Sequence, residues 1–385
     1  MSARPNVPKP REIHRAGNRV LRCTVRLSRW IPFGFRTNPP RTVLVYRLGN
    51  IGDIVVALPV FHALRRRFPE SRMVLLTSPT RRGAPSASDV LQHDPTFQRI
   101  ITYYADEAKK PGFLRTLRAT LASEKPDLAV ALPNFPHRLG NLLRHVMLLT
   151  SAGVRHIVGM QLVEEQDYAC NQVERLMRLV QELNLGEIEP TPWIKTDASD
   201  EAAAEALLQP AAPNESLIAV QVGAKRAANR WPLRHFLEVA KEIQERDYGH
   251  LIFTGTAAEA AELSPLIQAL PKRATVIAGK TSIPVLAAVL QRCRALITND
   301  TGTMHVAAAM GCPVIAVFSG RDYDRIWYPY GAQHRVLRAT VPCSPCLEES
   351  CPLYPEPECL LRISPSAVLE ALVEVLHRSD GITRP

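Results

Sequence analysis

Residues Asp300-Thr301-Gly302-Thr303-Met304-His305 join an apolar run ending at Thr298 to a small-residue run from Val306 to Met310. A strand that stops at an acid and a Gly-bearing turn, then opens into an Ala-rich helix, offers free backbone N–H groups and a positive dipole end to an anion. Nucleotide diphosphates bind such ends. The residues equally fit an ordinary strand-to-helix turn with Asp300 as N-cap, so their companions decide their weight.

The first companion is Arg47-Leu48-Gly49-Asn50-Ile51-Gly52-Asp53, directly after an apolar run at Thr42–Tyr46. Gly49 and Gly52 are separated by two residues, so the G-x-G-x-x-G spacing of a dinucleotide site is absent, which counts against an NAD-linked oxidoreductase. The glycines let backbone approach a ligand, and Asp53 projects from a helix start into a cleft or merely caps that helix.

Gln221-Val222-Gly223-Ala224-Lys225-Arg226-Ala227-Ala228-Asn229-Arg230-Trp231-Pro232 follows another apolar run. Its three cations suit a diphosphate leaving group, whose negative charge grows as its bond to a sugar breaks; a solvated basic loop is the alternative. Phe253-Thr254-Gly255-Thr256-Ala257-Ala258-Glu259 repeats the strand, glycine, helix order, with Glu259 placed to accept from ribose hydroxyls or to sit as a first-turn acid. Asp322-Tyr323-Asp324 reads as helix-start polarity rather than as a metal pair.

Cys343, Cys346, Cys351 and Cys359 fall in a Pro-rich stretch and resemble a metal site without matching a standard zinc spacing. They are read as an irregular surface loop, and no metal is assigned. No other cofactor is expected.

These motifs need elements to hold them. Apolar runs at Thr42–Tyr46, Met73–Thr77, Arg99–Tyr103, Leu128–Leu132 and His156–Val158 alternate with helical segments, including one over Ile54–Arg67. A Pro-containing break at Gly186–Pro192 precedes a second series at Leu217–Val222, His250–Thr254, Thr275–Ala278, Ala295–Thr298 and Pro313–Phe318, and Ser364–His377 reads as a closing helix. The expected class is α/β: two doubly wound, Rossmann-like parallel-sheet domains facing across a cleft between the carboxyl ends of their strands. The expected divisions are an extension at 1–40, an acceptor-side domain at 41–190, a nucleotide-sugar domain at 191–363, and a closing helix with tail at 364–385.

The 385 residues allow two domains, and 46% hydrophobic content fits a soluble chain. No apolar run approaches the roughly 18–20 residues needed to cross a bilayer, and the start lacks a compact apolar signal, so the body is expected to be cytoplasmic. The net charge of +10 suggests nucleic acid only until its distribution is seen: ten Lys/Arg against Glu12 lie in residues 1–41. Arg15, Arg19, Arg22, Arg26 and Arg29 would stack on one helix face, which suits an anionic membrane surface, with a disordered solvated arm as the alternative. No nucleic-acid partner is expected.

The stretches VLVYRLGNIGDIVVALPVFHALRRRFP, VGAKRAANRWP, GKTSIPVLAAVLQRCRALITNDTGTMHVAAAMGCPVIAVF and the late cysteine loop with CLLRISPSAV resemble glycosyltransferase family 9, the ADP-heptose:lipopolysaccharide heptosyltransferases. The resemblance runs from about Val43 to the closing helix. It implies a GT-B fold and an inverting, metal-independent transfer of heptose from the nucleotide-sugar donor ADP-heptose to a glycolipid acceptor, a lipid A-linked core. It also implies Asp53 as general base and Asp300, Thr301, Gly302 and His305 as the donor segment, with Gly52 also donor-binding. Glu259 falls at the ribose and Thr281-Ser282 at the adenine. Arg230 stands where the family commonly has Lys, and Arg and Lys are not interchangeable, so the donor sugar is an open point; Lys225 and Arg226 are expected to share the diphosphate. Arg81, Arg82, Arg138 and Arg144 are candidate acceptor contacts. Transfer of another sugar to another acceptor, or a catalytically silent nucleotide-sugar-binding subunit, are the alternatives.

Overall fold

In the computed structural model, residues 39–80, 82–135, 139–161, 163–212 and 215–379 are described. The basic segment before them, with Arg81 and Arg138, lies outside the described residues.

The first sheet is built from β1 (Thr42–Tyr46), β2 (Arg72–Thr77), β3 (Arg99–Thr102), β4 (Leu128–Ala131) and β5 (His156–Val158) in the order β3-β2-β1-β4-β5, every pair parallel. β1 is central and buried along its length, which is why TVLVY reads as an unbroken apolar run rather than an alternation. Strands step one way from β1 to β3 and the other way from β3 to β5, so right-handed crossovers lay helices on both faces. One face carries α1 (Ile51–Val55), α2 (Leu58–Arg67), α3 (Ala87–Val90) and, farther along, α6 (Gln172–Leu179). The other carries α4 (Phe113–Ser123) and α5 (Leu139–Ser151), packed on Leu44, Tyr46, Val74 and Leu76.

The single helix expected over Ile54–Arg67 is two. Pro59 has no N–H for the carbonyl of Val55, so the chain turns at Val56-Ala57 and restarts with Pro59 in its first turn.

The second sheet holds β6 (Leu217–Gln221), β7 (His250–Phe253), β8 (Thr275–Val276), β9 (Ala295–Asn299), β10 (Val314–Phe318) and β11 (Arg335–Arg338), ordered β11-β10-β9-β6-β7-β8 and again parallel. Its helices are α7 (Ala198–Leu208), α8 (Leu233–Glu245), α9 (Ala257–Gln268), α10 (Ile283–Arg292), α11 (Gly302–Ala309), the short α12 (Glu358–Leu361) and α13 (Pro365–Ser379). Residues 184–197, around the anticipated break, form neither helix nor strand. α11 packs directly on α1, and α10 on α7 and α3, so one continuous apolar core runs from the first sheet into the second. α13 closes the far face of the second sheet against α8. The architecture is the α/β, GT-B-like pair of parallel sheets that the sequence implied.

Candidate active site

A cleft of about 1870 Å³ opens between the two sheets. It is lined by residues that follow the carboxyl ends of β1, β2, β4, β6, β7, β9 and β10, where open parallel sheets bind ligands. Asp53, Gly52, Lys225, Arg226, Arg230, Glu259, Thr281, Asp300, Thr301, Gly302 and His305 all line it.

Asp53 is the third residue of α1, and its Oδ2 accepts from the backbone N–H of Asn50 at 2.9 Å. It is therefore both a helix-capping acid and a cleft residue, with its side chain 16% exposed. Behind it Arg47 is fully buried: its Nε donates to the Asp53 carbonyl at 2.9 Å and its Nη1 to the Leu132 carbonyl at 3.0 Å, while its Nη2 stands 3.5 Å from Asp53 Oδ1. Burial pulls the Arg47 pKa down and the Asp53 carboxylate opposes it. One guanidinium thus fixes both the backbone and the carboxylate of the candidate base, and nothing in the sequence distinguished it from a solvated loop cation.

On the facing wall the N-cap of α11 is Thr301, not Asp300, and the helix opens at Gly302, four residues before the Val306 run. The Thr301 side chain makes no capping hydrogen bond, so no side-chain oxygen occupies the first-turn N–H groups. α11 can come this close to α1 because Gly52 has no Cβ; one built there would lie 2.8 Å from His305 Cδ2.

Asp300 is half-buried and accepts from Asn229 Nδ2 at 2.9 Å, while Ser319 Oγ donates to Asn229 Oδ1 at 2.7 Å. Burial first, then Asp322, push the Asp300 carboxyl up to about 7, against the pull of Arg226, Arg321 and Asn229. Burial, and secondarily His334, lower the His305 pKa to about 4, so its ring is neutral at pH 7.

The charge of this wall comes from the loop after β6. Trp231 anchors it: its backbone N–H donates to Asn299 Oδ1 at 3.0 Å, its indole N–H to the Ile363 carbonyl at 3.1 Å, and Asn299 Nδ2 reaches the Val222 carbonyl at 2.7 Å. Lys225 Nζ donates across the cleft to Thr80 Oγ1 at 2.7 Å, and that hydroxyl donates to Asn50 Oδ1 at 2.7 Å. Arg226 pairs with Glu349 at 3.0 Å, and Arg230 Nε donates to the Ala224 carbonyl at 2.9 Å with Glu262 3.5 Å from its Nη1. Glu349 and Glu262 are exposed and are weak competitors for a dianionic ligand.

Glu259 closes the capping box of α9, accepting from the Thr256 N–H at 2.7 Å, and also lies 3.3 Å from Gln221 Nε2. Glu259 is thus a first-turn acid whose side chain also lines the cleft. Thr281 reaches the cleft beside Ser282, which caps α10.

Phe135, Tyr168 and Tyr323, from three distant loops, stack edge to face with centroids 4.8 to 6.0 Å apart and wall the end of the cleft beside Trp327. These aromatics, with Asn229 and Arg47, were missed in the sequence because their meaning lies in contacts between remote segments.

Other expectations fare differently. Asp322 starts no helix: residues 320–328 form turns, and both Asp322 oxygens accept from Arg321 Nη1 at 2.7 and 2.8 Å. Arg82 is held by Asp106 and Glu107 and lies 4.3 Å over the Tyr104 ring, and Arg144 sits on the outer surface of α5; neither lines the cleft. The loop of Cys343, Cys346, Cys351 and Cys359 is irregular apart from α12. Among the described residues the group close enough to share an ion is His93, Asp197 and Asp200, not these thiols. There each His93 nitrogen faces a different carboxylate, and both acids already cap α7, which is an ion-paired helix start.

The sequence pattern of glycosyltransferase family 9 (heptosyltransferase) matches residues 144–355. Lipopolysaccharide heptosyltransferase 2 of Escherichia coli (strain K12) is 26% identical over 318 residues, covering 77% of this chain and 87% of that protein. A family 9 glycosyltransferase structure from Veillonella parvula has a similar fold, with a TM-score of 0.72 at 20% identity over 88% of this chain and 98% of the other. The structure of E. coli ADP-heptose lps heptosyltransferase II does too, with a TM-score of 0.64 at 21% identity over 88% and 99%. With the family pattern spanning more than half of its residues, the chain belongs to glycosyltransferase family 9, the heptosyltransferases.

Proposed function

We propose that the protein is an inverting, metal-independent heptosyltransferase that moves heptose from ADP-heptose to a lipid A-linked lipopolysaccharide core. The observation that carries this reading is the placement of Asp53 and the Lys225, Arg226, Arg230 and Thr301–Gly302 group on facing walls of one cleft. A base and a diphosphate site on opposite sides of a sugar are what in-line displacement requires. The acceptor hydroxyl loses its proton to Asp53 as its oxygen attacks the anomeric carbon; the bond from that carbon to the diphosphate breaks, and ADP leaves with the electron pair. Attack from the face opposite the leaving group inverts the anomeric configuration.

A carboxylate is a weak base, so proton transfer trails attack, and the placement of Asp53 by Arg47 and Asn50 matters more than its basicity. The three cations and the first-turn N–H groups of α11 stabilise the charge that grows on the leaving diphosphate. Arg230, where relatives commonly carry Lys, presents a planar fork that suits phosphate. Glu259 takes the ribose hydroxyls and the backbone at Thr281 the adenine. The resemblance of the chain to heptosyltransferases, one with lipopolysaccharide and one with ADP-heptose lps in its name, supports the donor and acceptor named here.

Nucleotide selectivity tests the donor. ADP raises the melting temperature of the protein, since a ligand at a hundred times its dissociation constant stabilises by roughly 2.7 kcal/mol. UDP and GDP at equal concentration have little effect; a larger shift with either would replace ADP-heptose by another nucleotide sugar.

Asp300 gives a pH signature. Its folded pKa of about 7 lies above the ordinary 3.8, so the unfolded chain ionises first as pH rises, and the stability Asp300 contributes below about pH 4 is lost by about pH 7. His305 and His334, both lowered to about 4, act oppositely: they contribute above about pH 6.5 and lose that contribution as pH falls toward 4. Comparing wild type with Asp300→Asn isolates the acid. The melting temperature of wild type relative to the variant declines with pH and levels off near neutrality; a difference independent of pH would show that folding leaves the Asp300 pKa unchanged.

A further inference from the structure

The outer layer of the first sheet presents a surface that the transfer chemistry leaves unused. α4 and α5 follow β3 and β4 in crossovers of the same sense, so they run parallel on one face. Arg118 Nε on α4 donates to the Ser151 carbonyl at the end of α5 at 2.8 Å, which fixes their register. One turn before that contact, Leu114 and Met147 come level, and Leu143 lies one turn before Met147. All three are exposed, by 57%, 70% and 41%.

Arg115, Arg118 and Arg144 surround them, also exposed, and neither helix contains an acid. Lys109 and Lys110 extend the cationic rim at the approach to α4. Asp106 and Glu107, beside the two lysines, pair with Arg82, so the net charge around these large exposed apolar side chains is cationic, unlike the surroundings of apolar residues scattered on an ordinary surface.

We propose that the α4–α5 face docks on an anionic bilayer, with Leu114, Leu143 and Met147 entering the headgroup region and the arginines meeting lipid phosphates. Charge complementarity selects this occupant. A second copy of the chain would bring the same cationic rim, and the segment 1–41 carries ten Lys/Arg against one acid, so both meet the face with like charge. Apolar insertion and basic contacts reinforce one another at such surfaces. The location suits the chemistry as well: α5 starts beside the cleft, with Gly140 among its lining residues, so a bilayer against α5 brings a lipid-linked acceptor to the mouth facing Asp53. This last point rests on the proposed glycolipid acceptor, whereas the docking itself does not.

The test is flotation of the full-length protein with vesicles of phosphatidylcholine alone or mixed with phosphatidylglycerol. Wild type floats with the anionic vesicles. Leu114→Gln combined with Met147→Gln, and separately Arg115→Gln, each lower that partition on the order of tenfold. Their melting temperatures and turnover on a water-soluble, deacylated acceptor stay at the wild-type level, while turnover on acceptor embedded in anionic vesicles falls with the partition.

Undiminished flotation of both variants overturns the proposal, as does failure of wild type to float. So does a loss seen only when residues 1–38 are removed, which would assign docking to that segment. A concentration-dependent wild-type mass abolished by the glutamine pair, without any effect on flotation, would make the face a self-association surface instead. If flotation follows the face but no acceptor is glycosylated, the docking stands and the heptosyl reading fails.

Discussion

Asp53→Asn lowers turnover on the order of a thousandfold, within the range of general-base removal, and leaves ADP affinity at the wild-type level. The amide keeps the shape of the carboxylate and an oxygen to accept from the Asn50 N–H, which lies 2.9 Å from Asp53 Oδ2, so α1 keeps its cap. Arg47 keeps its two carbonyl partners, at Asp53 and Leu132. What is lost is the group that takes the acceptor proton. The nucleotide groups stand on the other wall of the cleft, which is why binding survives. Steady-state kinetics on the acceptor with a parallel ADP titration separates the effects; retained turnover would remove Asp53 from the mechanism, and lost ADP binding would make its role structural.

Gly49→Ala lowers turnover on the order of a hundredfold without touching a reacting group, because displacing a positioned base by about 1 Å costs that much. Gly49 has φ of +131°, a conformation L side chains rarely adopt, and a Cβ built there would fall 2.3 Å from the Asp53 Cγ and Oδ2 atoms. The added methyl and the carboxylate cannot share that space, so the carboxylate swings away from Arg47 and the cleft. The variant retains ADP binding, like Asp53→Asn, but it also loses stability through the backbone strain. Kinetics with a melting curve tests this: an active Gly49→Ala would mean that the carboxylate position has slack.

Both predictions concern a loop whose chemistry was partly legible in the sequence. Gly49, Gly52 and Asp53 stood out because glycine and an acid after an apolar run have few other uses, and the 300–305 segment stood out likewise. The parallel strands were readable because they are buried on both faces and so run apolar without alternation. β11 was not, since Arg335-Val336-Leu337-Arg338 ends in charges and is an edge strand of intermediate burial.

Helix limits were blurred where one residue decides them. Pro59 divides α1 from α2 through a single missing N–H, and Thr301 rather than Asp300 caps α11 because Asp300 turns inward to Asn229. Arg47 illustrates what sequence withholds: a guanidinium after a strand is ordinarily solvated, and only the approach of Leu132 from β4 and of α1 from above buries it. The aromatic wall of Phe135, Tyr168 and Tyr323 is another case, assembled from segments that carry no common pattern.

The most direct measurement of heptosyl transfer is the mass of a purified lipid A-linked core acceptor after incubation with the protein and ADP-heptose. The expected result is an acceptor heavier by one heptose, with one ADP released per heptose added and product formed roughly a thousandfold more slowly by Asp53→Asn. An acceptor of unchanged mass alongside transfer from a different nucleotide sugar, or no transfer from any donor by a folded, ADP-binding protein, would contradict it.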